Sequence, residues 1–357
     1  MELLKLDCLG QPLHLEASPA GWQALFWNGQ QVSRIQTRER DQEHAFQLQT
    51  EQRVIHCRFE VELQWQPFVL NYRLYADDEL LTQGARTPRD IERQAPAAQI
   101  AVKTKPNWIG LAALGFKLLK SAKMIKVVLA GASLAAYSWL FSVQFALALI
   151  ACLMVHEYGH IRAMRYFGMR TKGIYLIPFV GGLALSNEPV NSRWQTVVIA
   201  MMGPCFGLLL SLCCLLAYWI TGEQFFGGLA AFNALLNLFN LLPILPLDGG
   251  HVLKSISFSM NSTLGIISCA IAAALGVYIS YSAGLALLGF LLLIGTLEIL
   301  FEWRSRHLQA LLPLDRYGQL FSTAWYLLTL LGLGGVIWYF AGTGDAILGL
   351  PLKMLQS

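Results

Sequence analysis

The 357-residue sequence is poor in charge: Lys, Arg, Asp and Glu make up 13% of it, about half the share of an ordinary soluble protein. Its 7 cysteines include no Cys-x-x-Cys pair, which argues against a disulfide framework. No signal peptide is predicted, because Asp7, Gln11 and Pro12 interrupt any apolar core. These absences exclude a disordered chain, a fibrous chain and an ordinary soluble enzyme, and the net charge of +4 gives no reason to expect nucleic acid as a partner.

Hydrophobic residues make up 55% of the chain and form long runs, which predicts a polytopic α-helical protein of the lipid bilayer. Lys and Arg side chains follow the second, fourth and sixth runs and are missing from the opposite loops, so the N-terminus and these ends are predicted to be cytoplasmic. We expect a multi-pass protein of a bacterial inner membrane. A span needs about 20 apolar residues, and we predict about seven of them: 125–141, 143–167, 194–219, 225–246, 261–281, 284–302 and 321–341.

Residues 1–95 are predicted to form a small all-β cytoplasmic domain, an antiparallel sandwich or open barrel. The segment 59–66 alternates apolar and polar residues, as a half-buried strand does. Asn28-Gly29 and Asp77-Asp78 lie between such runs and indicate hairpin turns. The histidines of this region have no metal-ligand spacing and are interpreted as surface or edge residues: His14, His44 and His56.

A linker and an interfacial helix are predicted over residues 96–124. The helix is indicated by lysines spaced three residues apart, a pattern that suits an anionic membrane surface. Further along, the segment 174–185 is apolar but too short to cross a membrane, and it contains Pro178, Gly181 and Gly182. A re-entrant loop or hairpin is the prediction there.

An HExxH sequence, residues 156–160, ends the second predicted span. On a helix, His156 and His160 share one face and can both reach a zinc ion, while Glu157 can take a proton from a water that the metal holds. Burying one carboxylate and two imidazoles at membrane depth costs several kcal/mol unless they are paired or used. The alternative is a cytoplasmic helix end whose polar residues meet water.

A zinc site of this kind needs a third protein ligand and an open position. Asp248 is the strong candidate, because it ends the fourth predicted span on the same membrane side as HExxH. Pro243 and Pro246 are expected to interrupt that helix, and Gly249-Gly250 to permit a sharp turn after it. His251 is assigned a supporting or interfacial role.

These two motifs together resemble the site-2 protease family of intramembrane zinc metalloproteases. The resemblance covers residues 125–255, which we expect to be the catalytic membrane core, with 256–357 forming additional spans and a short tail. It implies that His156, His160 and Asp248 bind Zn²⁺ and that Glu157 is the general base. It further implies substrate-handling roles for Gly181 and Gly182, on a site-2 protease-like re-entrant hairpin. The same role is implied for Asn240 and Pro243, in the segment before the aspartate.

The implied function is an intramembrane zinc endopeptidase that cleaves a transmembrane segment, with a single-span membrane protein as substrate, in regulated proteolysis. The β domain would bind a regulatory partner. Two alternatives stay open: a non-catalytic membrane adaptor and a metal transporter. Motif spacing also leaves Fe²⁺ or Co²⁺ open as the metal.

Overall fold

The fold is taken from a computed structural model. It describes residues 1–19, 21–36, 39–49, 54–94, 122–140, 142–177, 181–186, 188–282, 292, 295–297 and 311–342. All but four residues of the sixth predicted span, and nearly all of the predicted linker and interfacial helix, lie outside these residues.

Two four-stranded antiparallel sheets form the N-terminal region, as the alternating sequence pattern predicts. Their inner faces share one hydrophobic core, to which both sheets contribute fully buried side chains such as Leu25 and Phe59. The strands of the first sheet are β1 (Glu2–Cys8), β2 (Gln11–Ser18), β3 (Trp22–Trp27) and β4 (Gln30–Gln36). Those of the second are β5 (Asp41–Gln49), β6 (Val54–Trp65), β7 (Phe68–Ala76) and β8 (Glu79–Arg86).

Both predicted hairpin turns are confirmed. Asn28 and Gly29 connect β3 to β4 with φ values of 47° and 77°, and Asp77 and Asp78 connect β7 to β8 with 47° and 66°. Positive φ at both central residues is the requirement of a type I′ turn, which matches the twist of the flanking strands.

His44 was interpreted as a surface or edge residue; it lies in β5, at the edge of its sheet, but it is not a surface residue. Its side chain is fully buried, with Nδ1 2.9 Å from Ser33 Oγ and Nε2 3.3 Å from Gln23 Oε1. Burial lowers the pKa of this imidazole from 6.5 to about 4, because a charged ring would lose its hydration. A neutral ring that donates from Nε2 and accepts at Nδ1 satisfies both neighbours.

The remaining chain is mainly helical. A short helix, α1 (Pro88–Glu92), follows the β domain. The other described elements, in chain order, are α2 (Ala122–Leu140), α3 (Val143–Tyr166), β9 (Thr171–Ile177), β10 (Gly181–Ser186), α4 (Arg193–Thr221), α5 (Gln224–Asn240), α6 (Asp248–Met260), α7 (Ser262–Ser282) and α8 (Arg316–Gly342).

Among the described residues, α3, α4 and α8 are long and apolar enough to cross a membrane. Shorter apolar stretches lie within α2 and α7. Helix α4 packs against α3, α5, α6 and α8 and is therefore central to the bundle. The protein is thus a helical membrane protein with an N-terminal β domain, and the count of seven spans stays a prediction.

One predicted boundary is too long: the fourth span was expected to reach residue 246, but α5 ends at Asn240. Pro243 and Pro246 explain the early end, since proline lacks the amide hydrogen that an internal helical residue donates.

The segment 174–185 behaves as predicted in one respect, because β9 and β10 pair as an antiparallel hairpin with Gly182 opposite Leu176. Its re-entry into the membrane stays a prediction.

The β domain contacts the helical region at two places. At the first, the Gln66 amide donates hydrogen bonds to the carbonyl oxygens of Ser259 and Leu314, at 2.8 and 2.9 Å. Beside it, Leu312 inserts into the hydrophobic core of the β domain and is 3% exposed. The segment before α8 therefore completes the core of the N-terminal domain.

The second contact joins α1 to the start of α4. The Ser192 hydroxyl donates to the Glu92 carboxylate at 3.0 Å, and the Asn191 amide donates to the carbonyl oxygens of Ile91 and Gln94. Burial raises the pKa of the Glu92 carboxyl, and the Ser192 hydrogen bond opposes that rise. The N-terminus of α4 is thereby fixed to the β domain.

Candidate metal centre and its cleft

Helix α3 carries the HExxH residues on its buried side. The helix begins after Ser142, whose hydroxyl accepts a hydrogen bond from the Phe145 amide and caps the first turn. His156 and His160 are one turn apart and only 2% and 7% exposed. Their Nε2 atoms are 3.1 Å apart and point to a common position.

Asp248 reaches the same position from the first residue of α6. Its Oδ2 lies 3.3 Å from His156 Nε2 and 3.4 Å from His160 Nε2. Gly249 and Gly250 do not form the predicted sharp turn, because both belong to α6. A Cβ on either glycine would collide with the backbone of the segment 241–245, so they let α6 approach that segment closely.

The three groups fit a metal ion. His156, His160 and Asp248 each offer one ligand atom, and these atoms lie within 4.8 Å of one another. A tetrahedral zinc ion with ligand bonds of about 2.0–2.1 Å separates its ligand atoms by about 3.3 Å. The observed separations of 3.1–3.4 Å match the edges of such a tetrahedron.

Glu157 lies beside this position without being part of the triangle. Its carboxylate oxygen is 4.0 Å from His156 Nε2, and the side chain is almost fully buried. The backbone of Ala184 in β10 lies near the carboxylate, and both residues border the same cleft. The hairpin therefore lies beside the predicted general base.

Each imidazole is held at its other nitrogen. His160 Nδ1 donates to the carbonyl oxygen of Ile199 in α4, at 2.6 Å, and His156 Nδ1 donates to Asn237 Oδ1 in α5, at 2.7 Å. Sequence reasoning missed both partners. A backbone carbonyl leaves no sequence signal, whereas Asn237 was visible as a polar residue inside an apolar run.

Gly203 of α4 borders the metal position. A Cβ at this residue would contact the Nε2 atoms of both His156 and His160. Gly207 faces the side chain of Asn237, where a Cβ would also collide.

A cleft of about 570 Å³ opens onto the metal position and Glu157. Asn240 and His251 line it, as does Leu311 from the segment that joins the β domain. Pro243 is half-buried and is not among the residues that line the cleft, whereas Pro246 is. Gly181 and Gly182 lie in β10, the strand whose Ala184 borders the cleft.

This arrangement, two histidines and a glutamate on one buried helix with an aspartate from another, defines a metallopeptidase type of site. Residues 144–224 and 218–282 match the family model described as peptidase family M50. This part of the membrane core is therefore similar to peptidase family M50, and the predicted resemblance to site-2 proteases is confirmed.

Several characterised or named proteins share this core. A candidate zinc metalloprotease of Synechocystis is 38% identical over 136 residues, which cover 36% of this chain and 36% of that protein. A zinc metalloprotease of Methanocaldococcus jannaschii is 29% identical over 135 residues, 36% of this chain and 39% of that protein. Stage IV sporulation protein FB of Bacillus subtilis is 28% identical over 188 residues, 48% of this chain and 63% of that protein. The aligned part thus spans about a third to two thirds of these relatives.

Proposed function

We propose that this chain is an intramembrane zinc endopeptidase that cleaves the transmembrane segment of a single-span membrane protein in regulated proteolysis. The observation that carries the proposal is the convergence of His156, His160 and Asp248 beside Glu157, at the wall of a cleft between apolar helices. Relatives named as zinc metalloproteases support zinc as the metal.

In the proposed reaction His156, His160 and Asp248 would hold the zinc. Zinc, when bound, polarises the scissile carbonyl and makes water a stronger acid. Glu157 accepts the proton of the attacking water and then donates it to the nitrogen of the leaving amine. The nearby backbone of Ala184 would help to orient the carboxylate of Glu157.

Strand β10 is suited to present the substrate. It pairs with β9 along one edge, and no strand pairs with its other edge among the described residues. A substrate helix must unwind locally before its peptide bond is accessible, and the unwound segment can add to a free edge through backbone hydrogen bonds. Gly181 and Gly182 would leave room for that strand, while Asn240 and Pro243 would shape the segment that leads to the aspartate.

The orientation follows from the positive-inside pattern of the sequence. The proposal places the chain in a bacterial inner membrane with its N-terminus and the metal centre on the cytoplasmic side, so that cleavage falls near the cytoplasmic end of the substrate. The domain division at 1–95, 96–124, 125–255 and 256–357 belongs to this proposal. A regulatory partner would act through the β domain, which contacts the rim of the cleft at Leu311 and Leu312.

Zinc content tests the metal centre without a known substrate. Full-length protein in detergent should contain about one zinc per chain in the wild type and in Glu157→Gln, and none in His156→Ala or Asp248→Ala. Zinc that remains in Asp248→Ala would place the third ligand elsewhere. A folded wild type without zinc would favour the adaptor alternative.

Cleavage is tested by co-expression with a panel of tagged single-span membrane proteins. Wild type and Glu223→Gln, a matched change in the exposed loop between α4 and α5, should release cytoplasmic fragments, and Glu157→Gln should release none. Full cleavage by Glu157→Gln would contradict the assigned general base.

A further inference from the structure

A chain of buried polar side chains leads from His156 away from the cleft, into the contact between α4 and α5. It consists of Asn237, Asn233 and Ser211, each of which is fully buried. Polar side chains are costly at membrane depth unless every one is hydrogen-bonded. The three residues satisfy this condition among themselves, with the α4 backbone and with His156.

The hydrogen bonds in this chain have a fixed direction. Asn233 Nδ2 donates to Ser211 Oγ at 2.7 Å and to the Gly207 carbonyl oxygen at 2.8 Å, which leaves its Oδ1 to accept. Asn237 Nδ2 then donates to the Asn233 carbonyl oxygen at 2.7 Å and to Asn233 Oδ1 at 3.1 Å. Since this uses the amide hydrogens of Asn237, the atom that faces His156 is its Oδ1, which can only accept.

The consequence concerns the histidine. An acceptor at 2.7 Å from Nδ1 requires that Nδ1 carry the hydrogen. Nε2 of His156 then has a free electron pair directed at Asp248 and the metal position. The carbonyl oxygen of Ile199 places the hydrogen of His160 on Nδ1 in the same way. For His156 the acceptor is the side chain of Asn237.

Helix α4 provides the space for the side chain of Asn237. A Cβ on Gly207 would overlap the Asn237 amide, so glycine at this position admits the amide between the two helices. The Asn237 amide is held in this space by its hydrogen bonds to Asn233, and its bond to Nδ1 in turn restrains the ring of His156.

We propose that Asn237 is a positioning residue for the metal centre: it fixes the tautomer and ring orientation of His156, and Asn233 fixes the direction of the Asn237 amide. The inference rests on the metal site of the proposed function. Loss of such a partner to a metal-binding histidine typically lowers metal affinity about 10–100-fold.

Zinc affinity of the full-length chain in detergent, measured by competition with a chromophoric chelator, tests the inference. Asn237→Leu, which keeps the volume and removes the acceptor, should bind zinc about 10–100-fold more weakly than wild type. Asn237→Asp keeps an oxygen at the same place and should recover most of the affinity. Asn233→Leu should give a smaller loss, because Asn237 keeps its Oδ1 and its hydrogen bond to the backbone carbonyl oxygen of residue 233 and loses only the bond to Asn233 Oδ1.

Thr329→Val is the matched control, because Thr329 is a buried polar residue of α8 outside this chain of hydrogen bonds. It should leave zinc affinity unchanged. The visible spectrum of the Co²⁺-loaded protein gives a second readout, since its ligand-field bands should change in Asn237→Leu and stay as in wild type in Thr329→Val. If Asn237→Leu does not fold, Asn237→Ala replaces it with the same expectation.

The outcomes separate this inference from the proposed function. Equal zinc affinity in wild type and Asn237→Leu, with zinc lost in His156→Ala, would overturn the role of Asn237 and leave the metal centre intact. Equal losses in Asn237→Leu and Asn237→Asp would overturn the role of the acceptor. A wild type that binds no zinc would overturn both. Weaker zinc binding in Asn237→Leu together with full cleavage by Glu157→Gln would support the positioning role and refute the catalytic one.

Discussion

Mild acid should destabilise the β domain through one residue, the buried His44. In the folded domain its pKa is about 4, and in the unfolded chain it is 6.5. Below pH 6.5 the unfolded state therefore binds a proton that the folded state does not. The stabilisation from this group is complete above pH 6.5 and is lost as the pH falls toward 4.

The size of the effect follows from the two pKa values. Between pH ~7.5 and ~5 the free energy of unfolding of the β domain should fall by about 2 kcal/mol from this group, a change of about 30-fold in the unfolding equilibrium. Amide hydrogen exchange in β3, β4 and β5 of the full-length chain in detergent, corrected for the intrinsic exchange rate at each pH, measures this quantity.

Two variants make the test specific. His44→Gln keeps a hydrogen-bonding side chain that does not titrate, so most of the pH dependence should disappear. His56→Gln changes an exposed histidine of β6 and should behave as wild type. An unchanged pH dependence in His44→Gln, or none in wild type, would refute the assignment to His44.

Three other substitutions test the packing around the site. Gly203→Ala should weaken zinc binding about tenfold or more, because the added methyl group contacts the ligating nitrogens; chelator competition measures this. Gln66→Leu removes the two hydrogen bonds that Gln66 donates to the carbonyl oxygens of Ser259 and Leu314. It should weaken the contact between the β domain and the helical region by about 1–3 kcal/mol, seen as faster proteolysis between the two. Tyr326→Phe removes a hydrogen bond to the Leu241 carbonyl oxygen at the end of α5 and should lower stability by about 1 kcal/mol in thermal unfolding.

Each of these three has a result that would contradict it. Wild-type zinc affinity in Gly203→Ala would mean that α4 does not border the metal. An unchanged proteolysis rate in Gln66→Leu would mean that Leu312 and the contact between α1 and α4 hold the domains together without the Gln66 hydrogen bonds. Tyr317→Phe, a change at an exposed residue of the same helix as Tyr326, is the control for the third, and equal effects in the two would remove the role of the hydrogen bond.

The sequence predicts the parts of the site that have local patterns. The HExxH motif fixes two ligands on one helix face by spacing alone, and the positive-inside pattern placed Asp248 on the same membrane side, in agreement with the observed separations of 3.3 and 3.4 Å. The hairpin turns at Asn28-Gly29 and Asp77-Asp78 were predictable for a similar reason, because few residues tolerate positive φ.

What could not be predicted depends on contacts between distant elements. The position of Asn237 depends on space along α4, which the sequence marks only by Gly203 and Gly207. Asn233 and Asn237, four residues apart in an apolar run, were nevertheless a signal. The burial of His44 was readable in principle, since β5 alternates and places His44 on the same face as Phe46 and Leu48. His44 was interpreted from its lack of metal-ligand spacing, which carries no information about burial.

The position of Leu312 affects how the protein is made. The β domain leaves the ribosome first, but the leucine that fills its core is synthesised only after most of the membrane helices. The newly made N-terminal domain therefore lacks Leu312 in its core while α2 to α7 are synthesised. During that time its apolar surface is accessible to chaperones and proteases. Closure of the β domain over Leu312 consequently requires that the chain has been synthesised past α7.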